Sequence, residues 1–301
     1  MQLRKANFIE LAKLVGADYV GDDIEIDCLN LSNRATNYNA VLSYVTNVDI
    51  CDCVLENEKV KAIIANQSDK DDIIGFFKDN NREISIMFAD NAEETFYDLH
   101  NKLYTTTDFY DKKEWEPQIG NNCQIAPNAT IEKGVIIEDN VEIGYNTVIR
   151  KGSVLKDNVH VGCNCVIGSE GFQAIMNYHT MVKHIGGTIL QEGVYIGDNT
   201  TICNSLFEGN TVIGAYSKID NHVQVAHNCK CGNHCVITPS CVLLGTVTLG
   251  DRVWVAPNTV FLNKVIVGDD TFVGSMSYVN MNLKEKSNVF GIPARKIMII
   301  K

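Results

Sequence analysis

Nowhere in the 301 residues is there a run of eighteen apolar side chains, so no segment is long enough to cross a membrane as a helix. Basic charge is scarce. Against 37 Asp and Glu stand 26 Lys and Arg, a net charge of −11, and no long basic run offsets the deficit. That balance excludes nucleic acid as the main partner. Neither GxGxxG nor GxxxxGK(S/T) occurs, so no phosphate loop is present. The opening MQLRKANFIELAKLVGADYVG is not a signal peptide, because Glu10 and Lys13 interrupt its apolar part. It reads as an amphipathic helix with Phe8, Leu11, Leu14 and Val15 on one face. These absences lead to the expectation of a soluble cytoplasmic protein without a disulfide framework. The eleven cysteines include no C-x-x-C. The close pairs Cys51/Cys53, Cys163/Cys165 and Cys229/Cys231 are C-x-C, so no metal is expected on them.

What the chain does have is a beat of six. An aliphatic residue recurs from Ile119 through Ile125, Ile131, Ile137, Ile143, Ile149, Leu155 and Val161 to Ile167, and again from Ile213 to Val273. Four places after each stands a small or β-branched residue. Gly120, Gly144, Gly162, Gly197, Gly214, Gly232, Gly250 and Gly268 directly follow the aliphatic one. Period six fits neither a helix nor a plain strand, but it fits a short strand and a turn. Such hexads build a parallel β-helix of about seven coils, three hexads to a coil, and the resemblance to known hexapeptide proteins implies that it is left-handed. Cys123, Cys165, Cys229, Cys235 and Cys241 fall in its small inward place, which reads them as core.

The fold expected is therefore mainly β, a left-handed parallel β-helix with a small N-terminal α/β domain. The boundaries expected are 1–104 for the α/β domain, 105–118 for a linker, 119–280 for the β-helix and 281–301 for a C-terminal tail. The α/β part reads as helices over 7–16, 48–59, 71–79 and 92–104 with strands between them. The beat breaks at 169–187, a loop insertion, and at SLFEGN (205–210), and loops off a regular scaffold commonly cover a site.

Both halves resemble the UDP-3-O-acylglucosamine N-acyltransferases of lipid A synthesis. The landmarks are IGSEGF (167–172), NTTI (199–202), TVIGAYSKIDNHVQVAHN (211–228), GIPA (291–294) and, in the first half, VLSYVTN (41–47). The resemblance implies a homotrimer. It also implies His227 as catalytic base with Asp220 orienting it, and Tyr44 and Asn47 as contacts to a pyrimidine. Glu170, Gly171, Phe172, His184 and Asn228 are expected at the sugar or acyl group. The chain departs from the pattern at Ile50, Lys264, the TTIC of 200–203 and its short tail. Those departures lead to the expectation of a relative that acylates a dTDP-linked amino-deoxy sugar of the 4-amino-4,6-dideoxyglucose type from a short acyl-CoA. The alternative is lipid A N-acylation from an acyl carrier protein.

N-acyl transfer needs a neutral amine, a proton acceptor and donors for the oxyanion. An imidazole suits the proton transfer at neutral pH, although the departing thiolate could also take the proton. For the donor, Ala256 and Gly274 are expected to offer backbone N–H groups. Lys264 is expected at the donor, and the basic tail, with Arg295 and Lys296, is expected to bind its phosphate, with no bound cofactor. Two other classes compete. A zinc enzyme like the hexapeptide-type carbonic anhydrases would use His222 and His227, five apart, with His184. A non-catalytic scaffold would bind nucleotide sugars without turnover.

Overall fold

In the computed structural model, residues 5–174 and 180–296 are described. The expected loop 169–187 and tail 281–301 therefore each lie partly outside the described residues. The chain forms two compact units: Met1–Lys112 with Phe172–Lys183, and Lys113–Gly171 with His184–Lys301.

The first unit is built on a five-stranded sheet. Cys28–Leu29, Val41–Val45, Val60–Asn66 and Ser85–Ala89 run parallel, and Asp18–Val20 is antiparallel at the edge beside Ser85–Ala89. Among the described residues four helices accompany it: α1 (Phe8–Val15), α2 (Asp52–Leu55), α3 (Lys70–Asp79) and α4 (Ala92–Thr106). The helix expected over 48–59 is only a 3-10 turn at Val48–Ile50 and the single turn α2. Branched Val48, Ile50 and Val54 and the short polar Asp49, Asp52 and Asn57 disfavour a continuous helix. Asn57 instead donates from its side chain to Ser32 O. By contrast, α4 has a side-chain cap, since Asn91 accepts from the Glu94 N–H.

Helix α4 also carries His100, which is fully buried. Its Nε2 lies 2.9 Å from Lys183 O and its Nδ1 2.9 Å from the Tyr110 hydroxyl. A carbonyl only accepts, so Nε2 bears the proton and Nδ1 accepts from Tyr110. Asn101, the next residue, donates to Met181 O and accepts from Lys183 N. The returning end of the insertion is thus hydrogen-bonded to α4.

The second unit is the left-handed parallel β-helix that the beat predicts. Its first face runs from Gln118–Ile119 to Ile266–Val267 and its third from Thr130–Ile131 to Tyr278–Val279, eight strands each. The second face starts at Gln124–Ile125 and ends in Asn288–Phe290 with an antiparallel Arg295–Lys296. Eight rungs exceed the count of seven because the segment 187–213 completes whole coils around its two breaks. The aliphatic places from Ile137 onward are buried, while Ile119 in the first coil is 50% exposed.

All eleven cysteines are free thiols, and those in the small inward place do more than fill space. Sγ of Cys165, Cys229, Cys235 and Cys241 donates to the carbonyl of Gly197, Leu244, Gly250 and Ala256. Thr147, Ser217 and Thr259 make the equivalent bond to Gly162, Gly232 and Gly274. Burial raises the Cys229 thiol to about 12 and Cys235 to about 11, so both stay protonated at neutral pH.

The corner glycines have a specific cause. Asp139 Oδ1 accepts from the Asn121 N–H, Asp251 Oδ1 from Asn233, Asp269 Oδ1 from Asp251 and Asp198 Oδ1 from Cys163. Each bond reaches back one coil. A Cβ on Gly120, Gly162 or Gly250 would stand 2.2–2.4 Å from that carboxylate oxygen. Glycine clears the space for the cap.

Candidate active site

His227 lies on the corner between the third and first faces, half-buried, after the strand Gln224–Val225. Asn228 follows with φ of 61°, the left-handed turn position that asparagine tolerates well. The residue is held on three sides. Oδ1 accepts from Leu206 N at 3.1 Å, Nδ2 donates to Ser205 Oγ, and its own N–H donates to Thr211 Oγ1 at 2.8 Å. The Leu206 bond fixes which end of the amide is oxygen. The same Oδ1 sits 2.9 Å from His227 Nδ1, so Nδ1 donates and the imidazole lone pair is on Nε2. This is the tautomer a general base needs.

Two neighbours shape the ring's surroundings. The His184 ring, largely buried, meets it edge-on at 5.3 Å between centroids. The register Val225 to Leu243 places Gly245 one coil on from His227, and a methyl group there would lie 2.8 Å from Cε1 and Nε2. Gly171 in turn touches His184, where a Cβ would meet Nε2 at 2.5 Å. Gly245→Ala should therefore displace the imidazole. Kinetics should record a kcat lower by about 10²-fold with the thermal midpoint nearly unchanged, and full activity would remove Gly245 from the site.

Of the expected site residues, the structure brings together His227, Asn228, His184 and Gly171. Glu170 is exposed beside Gly171, and Phe172, the first residue of the insertion grouped with the N-terminal unit, is 84% exposed. Asp220 is not brought to His227. It stands on the corner between the second and third faces, a full strand away, and its Oδ1 accepts from Asn221 N. The register gives the reason: the next coil has Pro239 opposite Asn221, whereas Cys163 and Asp198 on this corner are capped by Asp198 and Asn221 of their next coils. No cap comes from that coil, and Asp220 supplies it locally. His222 occupies that same corner, so the five-residue spacing does not bring it to His227. Among the described residues no group of three His, Cys, Asp or Glu could hold a metal ion.

The donor contacts need a correction as well. The N–H groups of Ala256 and Gly274 already donate to Val273 O and Val289 O at 2.8 Å, as rungs of the sheet. They are not available to a donor. Lys264 is exposed two coils from Asn228 on the same corner, while Arg295 and Lys296 are exposed on the terminal strand. In the N-terminal unit, the Tyr44 hydroxyl donates to Glu93 and its ring packs on Phe96 and Tyr97, while Asn47 is exposed. Sequence reasoning missed Ser205, Gly245 and Asn204. Gly245 carried a signal, since it falls one place later than the other corner glycines.

Residues 116–151 match the family model for bacterial transferase hexapeptide (six repeats), and 134–169 match the hexapeptide repeat of succinyl-transferase. A UDP-3-O-acylglucosamine N-acyltransferase from Campylobacter lari is 35% identical over 94% of this chain and 91% of its own length. The chain belongs to this acyltransferase family. UDP-3-O-acylglucosamine N-acyltransferase 1 of Sulfurimonas denitrificans is likewise 35% identical, over 82% of this chain and 80% of its own. A UDP-N-acetylglucosamine acyltransferase from Bacteroides fragilis shares the fold, with TM-score 0.55 and 22% identity over 62% of this chain and 71% of that one.

These relatives overturn the expectation of a dTDP-linked amino-deoxy sugar as acceptor, and they lend no support to an acyl-CoA donor. That expectation rested on single corner substitutions and the length of the tail. An alignment spanning 91% of the Campylobacter lari enzyme leaves the tail little weight. Among the described residues no helix is long and apolar enough to cross a membrane.

Proposed function

We propose that the protein transfers an acyl group from an acyl carrier protein thioester to the free amine of UDP-3-O-acylglucosamine, working as a homotrimer. The observation that carries this reading is the His227 imidazole, held by Asn228 with its lone pair on Nε2, in a chain of this family. The amine nitrogen attacks the thioester carbonyl, and His227 Nε2 takes one of its protons. The C–N bond forms, the C–S bond breaks, and the imidazolium returns the proton to the departing thiolate. His184, Glu170, Gly171 and Phe172 contact the sugar or its acyl group. Tyr44 and Asn47 contact the uracil. Lys264, Arg295 and Lys296 meet the donor's phosphate. The test is thiol release and amide formation with acyl carrier protein and UDP-3-O-acylglucosamine. Turnover supports the reading, and its absence sinks it.

A further inference from the structure

The corner between the third and first faces is a column of positions, one per coil at about 4.8 Å intervals. Pairing of Ile167 with Ile202, Ser169 with Cys203 and Ile202 with Val225 carries the register through this corner. Continued past the strand ends, it puts Glu170, Asn204, His227 and Gly245 in one line. Asn204 thus lies directly beside His227 in the stack, although 23 residues separate them in sequence.

Asn204 is 93% buried by its 7% exposure, and its contacts are unequal. Its backbone N–H donates to Ser169 O at 2.8 Å and Nδ2 donates to His184 O at 3.1 Å. The bond to a carbonyl fixes Nδ2 as the nitrogen. The other end, Oδ1, is buried without a hydrogen-bond partner among the described residues. A buried amide oxygen left so is costly and calls for a donor. The segments that hold Asn204 are those that frame the imidazole: Ser169 precedes Gly171, and His184 carries the ring against His227.

We infer that Asn204 Oδ1 accepts an N–H of the acceptor sugar's amine, a conclusion that rests on the function proposed above. A neutral amine has two N–H bonds and one lone pair. With one N–H on Asn204 Oδ1 and the other on His227 Nε2, the lone pair is left to face the thioester carbonyl. His227 takes its proton as the C–N bond forms, and the N–H on Asn204 survives as the amide N–H of the product. An alcohol acceptor has a single O–H and cannot satisfy both groups, so the pair selects an amine over a hydroxyl.

The experiment compares wild type with Asn204→Ala and Asn204→Ser, using UDP-3-O-acylglucosamine and acyl carrier protein. It follows amide formation, donor hydrolysis without acceptor, and the thermal midpoint. Asn204→Ala should lose about tenfold or more in kcat/KM for amide formation. Donor hydrolysis and thermal midpoint should stay near wild type, and Asn204→Ser, which keeps an acceptor oxygen, should recover part of the loss. Amide formation within twofold of wild type in both variants overturns the inference and leaves the proposed function standing. A fall shared equally by hydrolysis and thermal midpoint also overturns it, by making Asn204 structural. No turnover by wild type removes the proposed function, and the inference with it.

Discussion

His227→Ala should lower kcat for amide formation by about 10²–10⁴-fold, the usual worth of a general base, with little change in KM. The residue is half-buried on a corner and makes no strand hydrogen bond with its side chain, so the thermal midpoint should stay close to wild type. Asn228→Ala removes the bond that sets the tautomer and should cost about tenfold. The ordering of the two variants carries the mechanism. A kcat for His227→Ala within a few-fold of wild type would mean that the departing thiolate takes the amine proton and that the imidazole only binds. A larger loss in Asn228→Ala than in His227→Ala would mean that the amide acts on substrate directly.

The second large effect is on stability in mild acid. Burial depresses His100 from its ordinary 6.5 to about 4, and the Lys183 carbonyl only partly opposes the shift. The folded chain therefore binds this proton only near pH 4, whereas the unfolded chain binds it below 6.5. Between those values the unfolded state holds more protons, so stability is intact above 6.5 and falls as the pH drops through the window. The full difference is worth about 3 kcal/mol, and about 2 kcal/mol of it is lost between pH 7 and pH 5. Denaturant unfolding at the two pH values should show the loss in wild type and a much flatter response in His100→Gln. An equal loss in both proteins would assign the acid sensitivity to other groups.

The parts legible in the sequence were those with local periodicity. The beat of six gave the coils, their inward residues and the place of Cys165, Cys229, Cys235 and Cys241. The same beat marked its own interruption between Val166–Ser169 and Gly187–Leu190. What escaped depends on which residues meet across coils. Gly245 meets His227 from eighteen positions away, and Asn204 falls in register with it from 23 because SLFEGN lengthens that turn. Nearness in sequence misleads in the opposite sense. Asp220 is seven residues from His227, yet the strand Gln224–Val225 keeps them at opposite ends of one face. The N–H groups of Ala256 and Gly274 look available until the sheet is formed and takes them up.

The caps that join Asn121 to Asp139, Asn233 to Asp251 and Asp251 to Asp269 each span eighteen residues. They set a unit of evolutionary change. Deleting or duplicating eighteen residues within the regular run keeps glycines such as Gly120 and Gly250 opposite a carboxylate, and the remaining coils close over the gap. Gain or loss of six residues is different in kind. It turns everything downstream by one face and takes the capped glycines out of line with the carboxylates they now face. An inserted hexad between Asn204 and His227 would also carry the imidazole to another edge of the prism, away from His184. Lineages of this scaffold should therefore differ in length by whole coils, with smaller insertions, like that at SLFEGN, confined to bulges that return the chain to the corner it left.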